Sequence, residues 1–241
     1  MLKAIFFFTI LFINLFAKIG IAWYIQRIAA VRATLPSGVT LIAVSKYHPV
    51  EAIEAAYNAG QRHFGESKAQ DLSKKQQALP ADICWHFIGH LQSTKIKYIA
   101  PFVHLIHSVD SYKLLAEIDK QGAKVGRRIP CLLQIHIAQE ETKFGFTPQE
   151  CLSMLACGEW RGLNNVEIRG LMCMASNTTD EAQINSEFAA VKELFNTIKG
   201  NYFPADECFS VFSAGMSDDY PIAVSHGSNH VRVGSAIFAE E

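Results

Sequence analysis

Two hydrophobic patterns alternate along the chain. Short runs rich in Val, Ile, Leu, Phe and Cys are followed by longer stretches in which apolar residues recur every three or four positions. The short runs predict strands buried on both faces, as in a parallel sheet, and the longer stretches predict amphipathic helices. Eight strands are predicted in this way, at residues 39–44, 62–65, 84–89, 104–109, 130–137, 166–174, 208–213 and 231–238.

Helical patterns fill the intervals between the predicted strands. The helix at 49–60 has proline at its start and glycine at its end, and a Thr-Pro pair opens the helix at 147–158; both are typical helix boundaries. Eight strands that alternate with helices predict an α/β fold, a single (β/α)8 TIM barrel, which typically takes about 250 residues. The remaining helices are predicted at 21–35, 67–78, 93–100, 111–121, 179–199 and 220–225.

The first residues of the chain do not fit the barrel pattern. Residues 4–17 are apolar apart from two polar positions, and a lysine flanks them on each side. Such a run is short for a membrane span but matches the core of a signal peptide. Three interpretations stay open: an export or anchoring segment, a first helix with an unusually apolar start, or a start codon placed upstream of the true one. We therefore treat residues 1–20 as a separate segment and residues 21–241 as the barrel.

Charge and cysteine content narrow the classes of partner. The net charge is -1, and acidic and basic residues are interspersed, so no basic patch predicts nucleic-acid binding. The six cysteines form no C-x-x-C pair, and several lie inside predicted strands. Free thiols in a reducing compartment explain this pattern better than disulfides or a zinc site. We therefore expect a cytoplasmic protein, while the apolar first segment leaves membrane association or export open.

Lys46 stands at the carboxyl end of the first predicted strand. That end of a barrel strand is where the chemistry of such folds lies. A lysine between apolar walls there loses hydration, and its neutral amine can attack a carbonyl carbon to form an imine. The alternative is an ordinary lysine that extends into water. Lys143, after the fifth strand, is a second candidate amine, but its polar, loop-like surroundings predict a solvated lysine.

Small residues follow the seventh strand and fall within the eighth. They are the segment 213–217 (Ser-Ala-Gly-Met-Ser) and the pair Gly234 and Ser235. The loops after strands seven and eight are the usual phosphate site of these barrels, because backbone amides there are accessible to an anion. The alternative is that the glycines only satisfy tight turns. Strand one neighbours strand eight in a closed barrel, so Lys46 and these residues together predict a site for a phosphorylated aldehyde.

Histidine spacing along the chain does not predict a metal site. His86 and His90 are four residues apart, which along a strand is roughly 13 Å, too far to share an ion. His104 and His107 fall on opposite faces of a strand. We therefore expect no bound metal.

Seven stretches of the chain resemble one known family in type and order. The match runs from about residue 39 to residue 238 without a large insertion or gap. The motifs are LIAVSK (41–46), FGES (64–67), WHFIG (85–89) with LQS (91–93) and Lys95, ETKFG (141–145), RGLM (169–172), GMSDD (215–219) and VRVGSAIF (231–238). They resemble the pyridoxal phosphate homeostasis protein family, whose barrel is similar to the amino-terminal domain of alanine racemase.

The resemblance implies that Lys46 forms an internal aldimine with pyridoxal 5'-phosphate. It further implies that Arg232 faces the pyridine nitrogen of the cofactor. Because arginine can only donate hydrogen bonds, that nitrogen must accept and stay unprotonated, which makes the ring a poor electron sink. The residues that the resemblance assigns to the phosphate are Ser213, Gly215, Gly234 and Ser235.

The family is regarded as a carrier and regulator of pyridoxal phosphate without established turnover, so the resemblance implies a non-catalytic function. Alanine racemase adds an all-β domain with the opposing base, and only three residues follow the eighth predicted strand here. Two alternatives stay open: a small pyridoxal-phosphate-dependent amino-acid racemase, and a barrel aldolase that uses Lys46 without cofactor. The expected partners are the cofactor, amino acids and apo-enzymes that need the cofactor, with no nucleic acid, and we expect a monomer.

The chain departs from the family pattern at three positions. Ser67 and Thr94 stand where the family usually has asparagine, and Ala239 stands where it usually has glycine. The shorter side chain of Ser67 is expected to weaken a contact to the cofactor ring or its water shell.

Overall fold

A computed structural model of the chain describes residues 22–137 and 144–238. Eight strands close into a barrel in chain order, and every neighbouring pair is parallel. The predicted (β/α)8 barrel is therefore confirmed. The strands are β1 (Thr40–Val44), β2 (His63–Glu66), β3 (Cys84–Phe87), β4 (Leu105–Val109), β5 (Ile129–Ile135), β6 (Val166–Cys173), β7 (Val211–Ser213) and β8 (His230–Val233).

The first strand closes the barrel against the last. Ile42 of β1 lies opposite Arg232 of β8, and Val44 lies opposite Gly65 of β2. This register brings the carboxyl ends of β1, β2 and β8 together at one end of the barrel, the end that carries Lys46.

Helices surround the strands, and residues with known capping roles begin and end several of them. In α5, Thr147 accepts a hydrogen bond from the backbone N–H of Glu150, whose carboxylate accepts one from the backbone of Thr147, a capping box. In α4, Gly126 ends the helix in the left-handed conformation, with φ 64°. The helices are α1 (22–33), α2 (Val50–Asn58), α3 (Ala69–Ala78), α4 (Tyr112–Val125), α5 (Pro148–Cys157), α6 (Glu181–Tyr202), α7 (Tyr220–Ser225) and α8 (Ser235–Phe238), with 3-10 turns at Ser93–Tyr98 and Glu159–Gly162.

Two glycines allow a test of how backbone conformation alone affects stability. A Cβ added at Gly200 in α6 or at Gly126 would meet no atom within 4 Å, but only Gly126 is left-handed. We expect Gly200→Ala to raise the free energy of unfolding by about 0.5–1 kcal/mol, because alanine loses less backbone entropy in a helix. Gly126→Ala is expected to lower it by roughly 1–2 kcal/mol. Urea denaturation of both variants checks this, and equal shifts of the same sign would contradict it.

The structure corrects three predicted elements. Residues 93–100 were predicted as an α-helix, but Ser93–Tyr98 form a 3-10 helix. Only Val211–Ser213 of the predicted strand 208–213 joins the sheet, since Cys208 is held in a turn by the carboxylate of Asp206. The predicted strand 231–238 is wrong beyond Val233, where Gly234 ends it and α8 begins. An apolar run of this length fits a strand or a buried helical turn equally well by its pattern alone.

The core has an outer and an inner part. The main cluster of apolar side chains packs between strands and helices, and a separate small cluster of Leu105, Leu132 and Met172 lies among β4, β5 and β6. Several polar side chains from β3, β4, β7 and β8 are almost fully buried. The barrel interior is therefore partly polar, and these side chains include His86, His107, Ser213 and Arg232.

Several predictions fall on residues outside the described ranges. They concern the apolar segment 1–20, the second candidate amine Lys143 and the departure at Ala239. Across residues 22–137 and 144–238, no helix combines the length and the apolar character that crossing a membrane requires.

Candidate functional site

Lys46 lies in a tight turn at the end of β1. The backbone N–H of His48 donates to the carbonyl of Ser45 at 3.1 Å, and Tyr47 adopts a left-handed φ of 71° with 80% of its surface exposed. A non-glycine residue in this region is uncommon and strained, so surrounding contacts must hold the turn. The side chain of Lys46 is exposed. Of the two alternatives for Lys46, this exposure favours the lysine that extends into water.

A buried ion pair directly beneath this turn holds it in place. The carboxylate of Glu66 accepts hydrogen bonds from Ser45 Oγ at 2.6 Å and from Lys75 Nζ at 2.7 Å. Lys75 Nζ also donates to the carbonyl of Ser45 at 3.0 Å. Because Glu66 and Lys75 satisfy each other and both bind Ser45, they fix the backbone one residue before Lys46. This pair was not predicted from the sequence, although Glu66 lies in the FGES motif at 64–67.

The side chain of Lys46 lines a cavity of about 330 Å³ at the carboxyl end of the barrel. Of the six predicted site residues, Lys46, Arg232, Gly234 and Ser235 line it. Met216 and Ser217, from the segment 213–217 predicted to bind phosphate, line it as well. The structure adds lining residues for which no site role was predicted, namely Val44, Ile88, Gly89, Met174 and Asp218. Ser67 also lines the cavity, so the family departure at this position concerns a residue of the site.

One side of the cavity is built from small and hydroxyl residues of two loops. Ser217 Oγ accepts a hydrogen bond from the backbone N–H of Gly234 at 3.2 Å, which ties the loop after β7 to the loop after β8. A Cβ at Gly234 would approach the Cβ of Val44 to 3.3 Å, so a larger residue would push into the end of β1. Ser235 and Ala236 open α8, where backbone N–H groups have no partner in the preceding turn.

The loop after β7 depends on one aspartate and one glycine. Asp219 Oδ1 accepts a hydrogen bond from the backbone N–H of Met216 at 2.5 Å. Burial raises the pKa of Asp219, while this backbone bond and the charge of Arg232 oppose the rise. Gly215 has φ 93°, and a Cβ there would come within 2.7 Å of the Cα of Tyr220. Gly215 therefore shapes the loop, and its carbonyl accepts a hydrogen bond from the backbone of Arg232.

The guanidinium of Arg232 lines the cavity from the barrel interior. Its Nη1 donates to Ser213 Oγ at 2.8 Å and its Nη2 donates to the carbonyl of Cys173 at 2.9 Å. Burial lowers the pKa of Arg232. Ser213 is fully buried behind Arg232 and does not line the cavity. Its predicted contact with a phosphate stays a prediction, and the structure places its hydroxyl against Arg232.

A chain of hydrogen-bonded imidazoles continues from Ser213 towards the other end of the barrel. Ser213 Oγ contacts His107 Nδ1 at 3.0 Å, His107 Nε2 contacts His86 Nδ1 at 2.9 Å, and His86 Nε2 contacts His63 Nδ1 at 3.0 Å. Burial holds the pKa of both His86 and His107 well below the usual range, so both rings are neutral. This chain of imidazoles was not predicted from the sequence, because its three histidines come from three different strands.

The fold and site define a class of protein. Residues 23–241 match the alanine racemase N-terminal domain family. Alanine racemase from Bartonella henselae superimposes with a TM-score of 0.71 at 14% identity, covering 91% of this chain and 59% of that one, a likeness that concerns the fold alone. The molecule is thus a barrel of the alanine racemase N-terminal type.

Sequence relatives narrow that class to one family. The pyridoxal phosphate homeostasis protein of Helicobacter pylori strain 26695 is 39% identical over 204 residues, 84% of this chain and 88% of that protein. The one from Schizosaccharomyces pombe is 37% identical over 83% of each chain. PipY of Synechococcus elongatus PCC7942, in a structure with PLP bound, matches with a TM-score of 0.82 at 36% identity, covering 90% of this chain and all of that one. The chain belongs to the pyridoxal phosphate homeostasis protein family.

Proposed function

We propose that the chain binds pyridoxal 5'-phosphate in this cavity, holds it covalently through Lys46, and releases it to the cell's cofactor pool without turning over a substrate. One observation carries this proposal: an exposed lysine amine, a buried guanidinium and the small residues of two loops line the same cavity. A relative at 36% identity, PipY, has PLP bound in its structure, which supports it.

The donor groups of the cavity fit such a ligand. When bound, the cofactor supplies an aldehyde for covalent attachment and a phosphate dianion for anchoring. Lys46 Nζ is the amine that the cavity offers to an aldehyde. The hydroxyls of Ser217 and Ser235 and the backbone N–H groups at the start of α8 are suited to a dianion, because they donate hydrogen bonds without carrying a competing negative charge.

Two predicted phosphate residues receive another role in this scheme. Ser213 accepts a hydrogen bond from Arg232 and thereby fixes the position of the guanidinium beside the cavity. Gly215 gives the loop after β7 its left-handed turn, which brings Ser217 to the cavity. We therefore assign the phosphate to Ser217 and Ser235, with Gly234 beside them leaving room for the anion because it has no side chain, and we assign Ser213 and Gly215 to positioning.

Arg232 favours holding over catalysis. A guanidinium can only donate hydrogen bonds, so a ring nitrogen placed against Arg232 must accept and carries no proton. A neutral pyridine ring withdraws electrons weakly, which disfavours carbanion formation at a bound amino acid. Two contacts, to Ser213 and to the carbonyl of Cys173, fix the guanidinium, so it is not free to turn away.

Cysteine chemistry supports a cytoplasmic location within the same proposal. All six cysteines are free thiols. Burial raises the pKa of Cys151 and Cys173 to about 12, which makes both unreactive. Free thiols of this kind persist in a reducing compartment.

Two measurements on the full chain test the proposed function. An absorbance titration with pyridoxal 5'-phosphate is expected to give a saturable visible band that borohydride abolishes. Incubation of the loaded protein with alanine or serine in deuterated water is expected to give no deuterium at Cα above the rate of the free cofactor. Absence of the band would overturn cofactor binding, whereas rapid deuterium incorporation would overturn the non-catalytic part and favour a racemase.

A further inference from the structure

Three histidines meet at the amino-terminal end of the barrel, opposite the cofactor cavity. His63 is the first residue of β2, His86 lies in β3, and His104 directly precedes β4. Their ring centroids are 5.1–5.7 Å apart, and one nitrogen from each ring lies within 4.8 Å of the other two. Three consecutive strands thus deliver three imidazoles to one point.

We propose that His63, His86 and His104 bind a divalent transition-metal ion. Imidazole nitrogen is a preferred ligand of Zn²⁺, Co²⁺, Ni²⁺ and Cu²⁺, whereas Mg²⁺ and Ca²⁺ require oxygen ligands. The cluster contains no carboxylate. Three protein ligands leave a fourth tetrahedral position for water. Spacing within one strand predicted no metal, but the three ligands come from three strands, and only the register of the sheet brings them together.

The nitrogen positions suit a tetrahedral ion. Bonds of 2.0–2.1 Å at tetrahedral angles separate two ligating nitrogens by about 3.3 Å. His63 Nδ1 and His86 Nε2 are already 3.0 Å apart and share one proton. When both bind an ion, the metal takes the place of that proton, which moves to the other nitrogen of its own ring, Nε2 of His63 or Nδ1 of His86, so each ring stays neutral. The widest separation in the cluster, up to 4.8 Å, closes by rotation of the partly exposed rings of His63 and His104.

A second layer of hydrogen bonds is already in place behind the central ligand. A metal-binding histidine almost always donates its other ring N–H to a fixed acceptor. His86 Nδ1 lies 2.9 Å from His107 Nε2, and His107 Nδ1 lies 3.0 Å from Ser213 Oγ. The fully buried ring of His86 is therefore held with Nε2 directed at the cluster.

Solvent reaches this point from outside. A cleft of about 340 Å³ at the same end of the barrel is lined by Arg32, Gly38 and His63. Arg32 and Arg62 both line the cleft, and the guanidinium of Arg32 binds the carbonyl of Gly60 at 3.1 Å and the side chain of Gln61 at 2.8 Å. An ion has a path to the cluster that does not cross the cofactor cavity.

A Co²⁺ titration of the full chain tests the site. The exposed thiols of Cys157 and Cys208 are alkylated first, so that they do not compete for the ion. We expect one Co²⁺ per chain with the intense visible absorption of a tetrahedral complex, which Zn²⁺ displaces. His63→Gln and His104→Gln are each expected to weaken Co²⁺ binding by about a hundredfold or more. Loss of a residue that only hydrogen-bonds to a metal ligand already weakens binding by up to about a hundredfold, so loss of a ligand itself should cost at least as much. His226→Gln, whose ring binds Asn185 outside the cluster, is the matched control and is expected to bind Co²⁺ as the wild type does.

Two further variants separate this site from the cofactor site and from folding. Lys46→Ala is expected to bind Co²⁺ with unchanged affinity, because Lys46 lies at the opposite end of the barrel. Far-UV circular dichroism of His63→Gln and His104→Gln is expected to match the wild type, since both rings are partly exposed. No stoichiometric uptake by the wild type, or equal uptake by both histidine variants and the wild type, would overturn the metal site.

Discussion

Replacing Lys46 with alanine is expected to abolish covalent retention of pyridoxal 5'-phosphate. In the wild type, borohydride followed by mass spectrometry should fix the cofactor mass on the peptide that contains Lys46. In Lys46→Ala that peptide should be unmodified and the visible band absent, because the cavity then offers no amine to an aldehyde. The residues proposed to bind the phosphate remain in this variant, so weak and fully dialysable binding of the cofactor is expected to persist.

The matched control for Lys46 is its near neighbour Lys68. The two ammonium groups lie 5.8 Å and 5.7 Å from the ring centroid of Tyr47, so both lysines occupy the same part of the surface. Only Lys46 lines the cavity. Lys68→Ala should therefore retain the band and the labelled peptide. If Lys46→Ala keeps the band while Lys68→Ala loses it, the assignment of the amine is wrong.

Glu66→Ala is expected to lower the free energy of unfolding by roughly 3–5 kcal/mol, because it leaves the buried ammonium of Lys75 without its carboxylate. The Glu66 side chain is only 2% exposed and that of Lys75 11%, so water does not replace the lost partner. Urea denaturation measures the change. The same variant should also weaken cofactor retention, since Ser45 loses the hydrogen bond that anchors the turn before Lys46.

An exposed ion pair supplies the comparison. Arg62 and Asp82 are 3.0 Å apart, with 41% and 56% of their side chains exposed. Removal of such a pair costs about 0–1 kcal/mol, so Asp82→Ala should barely change the urea midpoint. The double variant Glu66→Leu with Lys75→Met should recover most of the stability lost in Glu66→Ala, because no unpaired charge remains buried. Equal losses for Glu66→Ala and Asp82→Ala would contradict a structural role for the buried pair.

The barrel could be predicted from the sequence because its strands are short, continuous apolar runs separated by helices with recognisable starts and ends. The predicted ends of strands and helices were wrong where only a few residues decide the conformation. After Val233, the run Gly-Ser-Ala-Ile-Phe turns into a helix, and its pattern is equally compatible with a strand. Short segments of this kind are decided by contacts with the rest of the fold.

The candidate site was predictable only in part. Lys46 and Gly234 could be placed because barrel topology sets which strand ends are neighbours. The direction of the Ser213 side chain could not be predicted. Strand β7 has only three residues, and a shift of one position along a strand changes the face of every side chain. The pairing of Glu66 with Lys75 depends on the packing of α3 against β2, which spacing along the chain does not reveal.

The row of hydrogen-bonded imidazoles along the barrel axis has a dipole whose direction can reverse. Each neutral ring has one donor and one acceptor nitrogen, so His63, His86 and His107 must all direct their N–H groups the same way along the chain. Ser213 can end this row as donor or as acceptor, while Arg232 donates to it in both cases. The row therefore has two collective states with opposite dipoles, which differ in proton positions while every heavy atom stays in place. Nitrogen-15 chemical shifts of the three rings would distinguish them, and a switch between them would carry a signal through the barrel without any movement of the backbone.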